Sequence, residues 1–253
     1  MNPLIVLLAA VAGYLLGSIS FARIVVKLVA PGEEIQGIKM DIPDAKEPVE
    51  VSAVAGTAVA MKLGDRYGGM TALLDILKAV VPTLAFRLIY PTQPYHLVAA
   101  TLAVVGHNWP LYYRFKGGRG LSPMLGGFLV VDWLGTLVTS LVALVLGMAV
   151  KSILLAYMGG AWLMIPWLWI RTRTHSDTRG PAHIIYAIAV NVIVALAMIP
   201  DIQSIIDRKR RGVSGSFAGA MDVTPMGRGI KKIAGWFGLM KEEQASGENA
   251  QAE

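Results

Sequence analysis

The sequence has no cysteine and little charge. Without a thiol it forms no disulfide, holds no thiolate-bound metal and uses no cysteine nucleophile. Charged residues are 16% of its 253 positions, whereas a soluble domain carries about 25%. That composition excludes general disorder and argues against an ordinary soluble globule. In place of charge the chain is 55% hydrophobic, with a mean hydropathy of +0.56. Its 12 Met and 27 Gly suit packed membrane helices. The net charge is +6 and the pI about 9.5. In a soluble protein that excess would raise nucleic acid as a partner. In a membrane protein it belongs to cytoplasmic loops and to contact with anionic lipid headgroups. Anionic membrane lipids are therefore expected as partners, and nucleic acid is not.

Residues 3 to 22 hold no charge, and roughly 20 apolar residues cross the hydrocarbon core as a helix. A secretory signal peptide needs a positive leader, which Met1-Asn2 does not supply, so an uncleaved span is expected. Gly17 and Ser18 at its end suit close helix packing. Pro31, Pro43 and Pro48 then interrupt a loop with six acidic residues against Lys39 and Lys46. Residues 51–64 are small and apolar, which predicts a short helix at the interface or re-entering the membrane. The second span, Gly69 to Tyr90, contains Asp75 and Lys78. Three apart, they share a helical face and can pair; ionisable residues at membrane depth are costly and often functional. The third span runs from about Tyr95 to Tyr113.

Residues 121–149 are apolar except for Asp132. As one helix they would measure ~43 Å at 1.5 Å per residue, longer than a crossing needs. Asp132-Trp133 followed by Gly135 fits a tight turn between two short helices. Residues 152–170 and 181–200 are further spans. The expected fold is all-α: a polytopic membrane protein of about seven helices with one short re-entrant or interfacial helix. Seven helices put loop 114–120 and the C-terminal tail on one side. They leave Arg171, Arg173 and Arg179 on the other, but six helices would put the RKRR run at 208–211 there, which offends the positive-inside rule more.

Residues 208 to 241 carry eight basic residues and one acid, Asp222. GIKKIAGWFGLM, residues 229–240, alternates cations with large apolar residues at about helical spacing, the pattern of a helix lying on anionic lipid. The expected organisation is a membrane domain over 1–206, a basic Gly/Ser-rich linker over 207–228, an amphipathic interfacial helix over 229–241 and a disordered acidic tail over 242–253.

The most informative segment is GHNWPLYYRFKGGRG, Gly106 to Gly120. It ends in Lys116-Gly117-Gly118-Arg119-Gly120. Three glycines in four positions let backbone N–H groups converge on one point, an anion-binding nest. Lys116 and Arg119 add positive charge, while Trp109, Tyr112 and Tyr113 suit the headgroup level. The expectation is a phosphate cradle at a membrane surface. It is not a nucleotide-binding P-loop, because G-x-x-x-x-G-K-[ST] spacing is absent.

With GSISF at 17–21, LLDILKAVVP at 73–82 and Lys151-Ser152, this segment resembles the bacterial integral-membrane acyl-phosphate:glycerol-3-phosphate acyltransferases. The resemblance covers roughly residues 4 to 210. It implies acyl transfer from acyl phosphate to glycerol 3-phosphate, giving lysophosphatidic acid for phospholipid biosynthesis. It also implies seven helices, an outside N-terminus, a cytoplasmic C-terminus, a bacterial inner-membrane location, and no metal or coenzyme. Lys116, Gly117, Gly118, Arg119 and Gly120 would hold phosphate and Ser152 would hydrogen-bond substrate. The hydroxyl proton would go to a substrate phosphate or to His107. Ser18, Asn108 and Lys62 are candidate further substrate contacts.

Two family motifs depart from the pattern. The first loop would carry Gly-Ser-Gly-Asn, Gly-Ala-Thr-Asn and an Arg over residues 50 to 61, but reads EVSAVAGTAVAM. Thr57 stays in register, Met61 stands where the Arg is expected, and Lys62 is next to it. The third motif's His and Asn fall on Met198 and Asp201, and an aspartate would repel phosphate. A second reading follows: a catalytically degenerate member that binds anionic lipid or lipid phosphate as a scaffold.

Overall fold

The computed structural model describes residues 1–35, 38–42, 45–51, 53–175, 180–213, 223–224 and 227–230. α1 (Pro3–Gly17) starts at Asn2, whose Oδ1 accepts the Leu4 N–H at 2.9 Å. It stops at Gly17, before the end of the charge-free run, and α2 (Phe21–Val29) follows. The first loop holds an unexpected antiparallel ladder of β1 (Ile38–Met40) and β2 (Val49–Val51), with Lys39 opposite Glu50. α3 (Gly56–Leu63) is the expected short helix. It buries Ala58 and Val59 against Ala22, Val25 and Val26 of α2.

α4 (Asp65–Ile89), α5 (Tyr95–Asn108), α6 (Leu121–Ala149), α7 (Ile153–His175) and α8 (Gly180–Arg210) complete the bundle. Central α5 buries Ala99, Ala100, Ala103 and Val104 completely. Its approach to α1 is set by glycine. A Cβ on Gly13, Gly17 or Gly106 would lie 2.2–2.3 Å from a backbone carbonyl of the facing helix, the small-residue packing that lets membrane helices touch. Large apolar side chains such as Leu4, Leu7, Leu88 and Ile185 point outward. A surface of that kind is solvated by lipid, and this is the exterior of a multi-pass helical membrane protein.

α6 is interrupted at Asp132, where φ is −154° and ψ 91°. Beyond it, Gly135 packs on Trp167 and Gly147 on Ala156, so the second arm runs antiparallel to α7. Before it, Gly127 meets Tyr186 early in α8, while Arg119 pairs with Asp201 late in α8. Both ends of α6 therefore lie where α8 finishes, and the chain reverses at Asp132, as the overlong run suggested. The Asp132 carboxylate accepts from Gly135 N at 2.9 Å, Trp167 Nε1 at 3.0 Å and Arg171 Nη1 at 2.9 Å. A buried charge so fully partnered is tolerated in an apolar setting.

α8 continues to Arg210, past residue 207 where the linker was expected to begin. Buried Arg208 donates to the carbonyl oxygens of Pro48 at 2.9 Å and Glu47 at 2.5 Å, so the end of the helix is a docking element. Arg228 pairs with Asp65 at the start of α4, and its guanidinium holds the Asp65 carboxyl below the usual carboxylate range. Half of the expected linker, the 229–241 helix from residue 231 onward, and the 242–253 tail lie outside the described residues.

Candidate functional site

The 106–120 segment folds back on the helix that delivers it. α5 ends at Asn108, a short 3-10 turn covers Leu111–Tyr113, and Arg114 and Phe115 adopt left-handed backbone with φ of 53° and 61°. That bend returns the glycines to the end of α5, where the Gly118 N–H donates to the His107 carbonyl at 3.0 Å. Gly117 accepts the Val54 N–H at 3.1 Å, tying the first loop to this one. Arg23, which the sequence alone did not single out, clamps the bend. It donates to the Lys116 carbonyl at 2.8 Å and stacks on Tyr113.

The glycines also allow a close approach. The Gly118 and Lys116 N–H groups bond within the loop, and in 117–120 only Gly120 has positive φ, at 79°. A Cβ on Gly117 would lie 2.1 Å from the His107 carbonyl oxygen, and one on Gly118 2.0 Å from His107 Nε2. Gly117 and Gly118 are small so that the histidine can be close.

His107 is buried and joined to the charged pair inside α4. Its Nδ1 lies 3.6 Å from Asp75 Oδ1, which is 2.8 Å from Lys78 Nζ. Lys78 also donates to the Ile19 carbonyl at 2.6 Å, in the break between α1 and α2. All three side chains are at most 5% exposed. The carboxylate stands behind Nδ1, and Nε2 on the other side of the ring lies beside Gly118. Asn108, the next residue, is also buried. Its Oδ1 and Nδ2 have no hydrogen-bond partner among the described residues, and a Cβ on Gly120 would lie 2.6 Å from that Oδ1.

His107, Arg119, Gly120 and Ser122 line one part of a cavity of about 660 Å³. Ala53, Ala55, Gly56 and Thr57 of the first loop line it too, as does Gly68 of α4. Both arms of α6 and α7 supply a mainly apolar remainder, with Leu125, Phe128, Leu141, Leu144, Tyr157 and Met164 interrupted by Thr136, Thr139 and Ser140. One cavity thus joins a compact polar end to an apolar volume.

The other expected site residues lie elsewhere. Lys116 is exposed and does not line the cavity. Lys62 turns to the acidic loop, pairing with Glu33 at 2.7 Å and donating to the Glu34 carbonyl. This contact holds the Glu33 carboxyl below the usual carboxylate range. Ser152 caps α7, accepting from Leu155 N at 3.3 Å, in the turn from α6. Ser18 is fully buried and accepts from Leu111 N at 3.3 Å, which fixes the start of the loop. Lys62, Ser152 and Ser18 each have a partner within the protein. Arg119 does face the cavity, and Asp201 grips it side-on: Nε to Oδ2 at 2.5 Å and Nη2 to Oδ1 at 2.7 Å.

The sequence profile described as glycerol-3-phosphate acyltransferase matches residues 7–208. A protein of that name from Mycoplasma mycoides is 29% identical over 171 residues, 65% of this chain and 62% of its own. One from Clostridioides difficile is 38% identical over 132 residues, 50% of this chain and 58% of its own. The alignments with these relatives therefore span less than two thirds of their length. Among solved structures, the integral membrane glycerol 3-phosphate acyltransferase PlsY, in its glycerol 3-phosphate form, superposes with a TM-score of 0.64 at 23% identity. That match covers 83% of this chain and 94% of the other, and it is a likeness of fold.

Proposed function

This chain belongs to the glycerol-3-phosphate acyltransferase family, and we propose that it transfers an acyl group from acyl phosphate to glycerol 3-phosphate, releasing lysophosphatidic acid and phosphate. The observation that carries the reading is the cavity itself. Its polar end is walled by His107, Arg119 and Gly120, and the rest is apolar and large enough to take an alkyl chain. A substrate with a phosphate joined to a hydrocarbon tail matches that division.

Chemically, the acceptor hydroxyl oxygen bonds to the acyl carbonyl carbon, the bond from that carbon to the phosphate oxygen breaks, and phosphate leaves with the electron pair. Arg119, beside the glycines, favours the charge that grows on the leaving group. Acyl phosphate is already activated, so alignment of the two substrates supplies much of the rate. The hydroxyl proton passes to His107 Nε2 or to a substrate phosphate. Asp75, behind Nδ1, supports the first route by stabilising the imidazolium. The reading needs no coenzyme.

The second reading, a scaffold that binds lipid phosphate without turnover, draws on the apolar first loop and the Arg119–Asp201 pair. One assay divides the two. Purified protein in detergent, given acyl phosphate and labelled glycerol 3-phosphate, is expected to form labelled lysophosphatidic acid. Binding of acyl phosphate with no product would favour the scaffold.

We also infer seven crossings of a bacterial inner membrane, an outside N-terminus, and loop 114–120 on the cytoplasmic side with the C-terminal segment, where basic residues meet anionic lipid. Single cysteines at Ser122 and Ser214 of this cysteine-free chain are expected to label from the same side. Labelling from opposite sides would refute the arrangement.

A further inference from the structure

We infer that Asp201 is a built-in competitor for the phosphate on Arg119, so that substrate enters by displacing a carboxylate. The inference rests on the proposed role of Arg119 in holding phosphate. Arg119 is the charged side chain of the cavity wall. Its Nε and one Nη, an edge suited to two phosphate oxygens, are both engaged by Asp201.

The pair has the properties of a contact that opens. The Arg119 and Asp201 side chains are 18% and 30% exposed, so water reaches both. An ion pair that water reaches is held less tightly than one that is fully buried. A phosphate carries more charge than a carboxylate and offers the same two-point geometry, so it displaces the weaker ligand. Pro200, just before Asp201 in α8, donates no N–H to the helix and lets the backbone bend there at little cost.

This arrangement makes Asp201 a specificity-determining residue. An uncharged ligand gains nothing at Arg119 that repays separation of the pair. A phosphate does, and it then lies beside the released carboxylate, whose repulsion weakens binding and speeds product release. A purely structural role, with the pair stapling the start of α6 to α8, predicts something different: loss of stability on removal, with no gain in affinity.

The test is titration of purified full-length protein in detergent with inorganic phosphate, alongside KM for acyl phosphate. Asp201→Asn is expected to tighten phosphate binding about tenfold and to lower that KM, since it removes both competition and repulsion. Asp201→Glu keeps the charge and stays within about twofold of wild type. Arg119→Ala weakens binding at least tenfold. If Asp201→Asn leaves phosphate binding unchanged or weaker while Arg119→Ala abolishes it, the competitor role is overturned and the phosphate role of Arg119 stands. If Arg119→Ala has no effect, that role falls and the competitor falls with it. Should neither Asp201→Asn nor Asp201→Ser fold, the pair is a structural staple and the inference is overturned.

Discussion

Gly118→Ala is expected to lower acyl transfer by about a hundredfold or more while the bundle stays folded. The added methyl would sit 2.0 Å from His107 Nε2, which no packed pair tolerates. The loop cannot simply back away, because the Gly118 N–H is bonded to the His107 carbonyl and the neighbouring Gly117 carbonyl to Val54. The ring must therefore rotate. Rotation carries Nδ1 away from Asp75 and Nε2 away from its place beside Gly118. A displacement of about 1 Å at a reacting group costs roughly a hundredfold. The measurement is kcat for acyl phosphate turnover beside thermal unfolding in detergent. A loss of kcat with an intact melting transition is the expected pair of results. Unaltered kcat would remove His107 from the chemistry.

Asp75→Ala is expected to be the most destabilising single change in the bundle, by about 3–5 kcal/mol. Lys78 and Asp75 are both 2% exposed and 2.8 Å apart. Removing the carboxylate leaves an ammonium among apolar helices, with the Ile19 carbonyl and the Phe21 ring, 5.9 Å away, as its remaining described partners. The double variant Asp75→Leu/Lys78→Leu removes both charges and fills the space with hydrocarbon, so most of the lost stability should return. Activity should not return, because His107 has still lost the carboxylate behind Nδ1. Unfolding in detergent and turnover, measured on the wild type, both single variants and the double, separate the two roles. If the double variant recovers activity, Asp75 serves packing alone.

Features that depend on neighbours along the chain were legible before any coordinates. Asp132 in an overlong apolar run marked a reversal, because a charge and a nearby glycine are tolerable at a turn and costly mid-membrane. Asp75 and Lys78 were readable as a pair from their spacing. Their third member was not: His107 joins them through the packing of α5 on α4. The glycines of 117–120 stood out correctly, yet a sequence does not say whether a glycine serves positive φ or close approach. Here the nearby atom, His107 Nε2, decides it. Lys62 and Ser152 sit where substrate contacts were expected, but Glu33 and the first turn of α7 claim them. Asp201 was legible as a misfit whose charge would repel phosphate. Its grip on Arg119, 82 positions away, was beyond local pattern. The three-residue strands of the first loop, set among prolines, were too short to leave an alternation.

The ties that close the site have a consequence for the order of events at the ribosome. Loop 106–120 and the first loop leave early and bond to each other, but two of their ties come late. Asp201 arrives 82 residues after Arg119, and Arg208 reaches back across 160 residues to Pro48. Contacts so distant form late, since the chain must close a long loop before they repay it. A nascent chain halted before α8 would own every residue that lines the cavity but neither of these two ties. On the proposed reading, closure of the site is thereby coupled to completion of the chain.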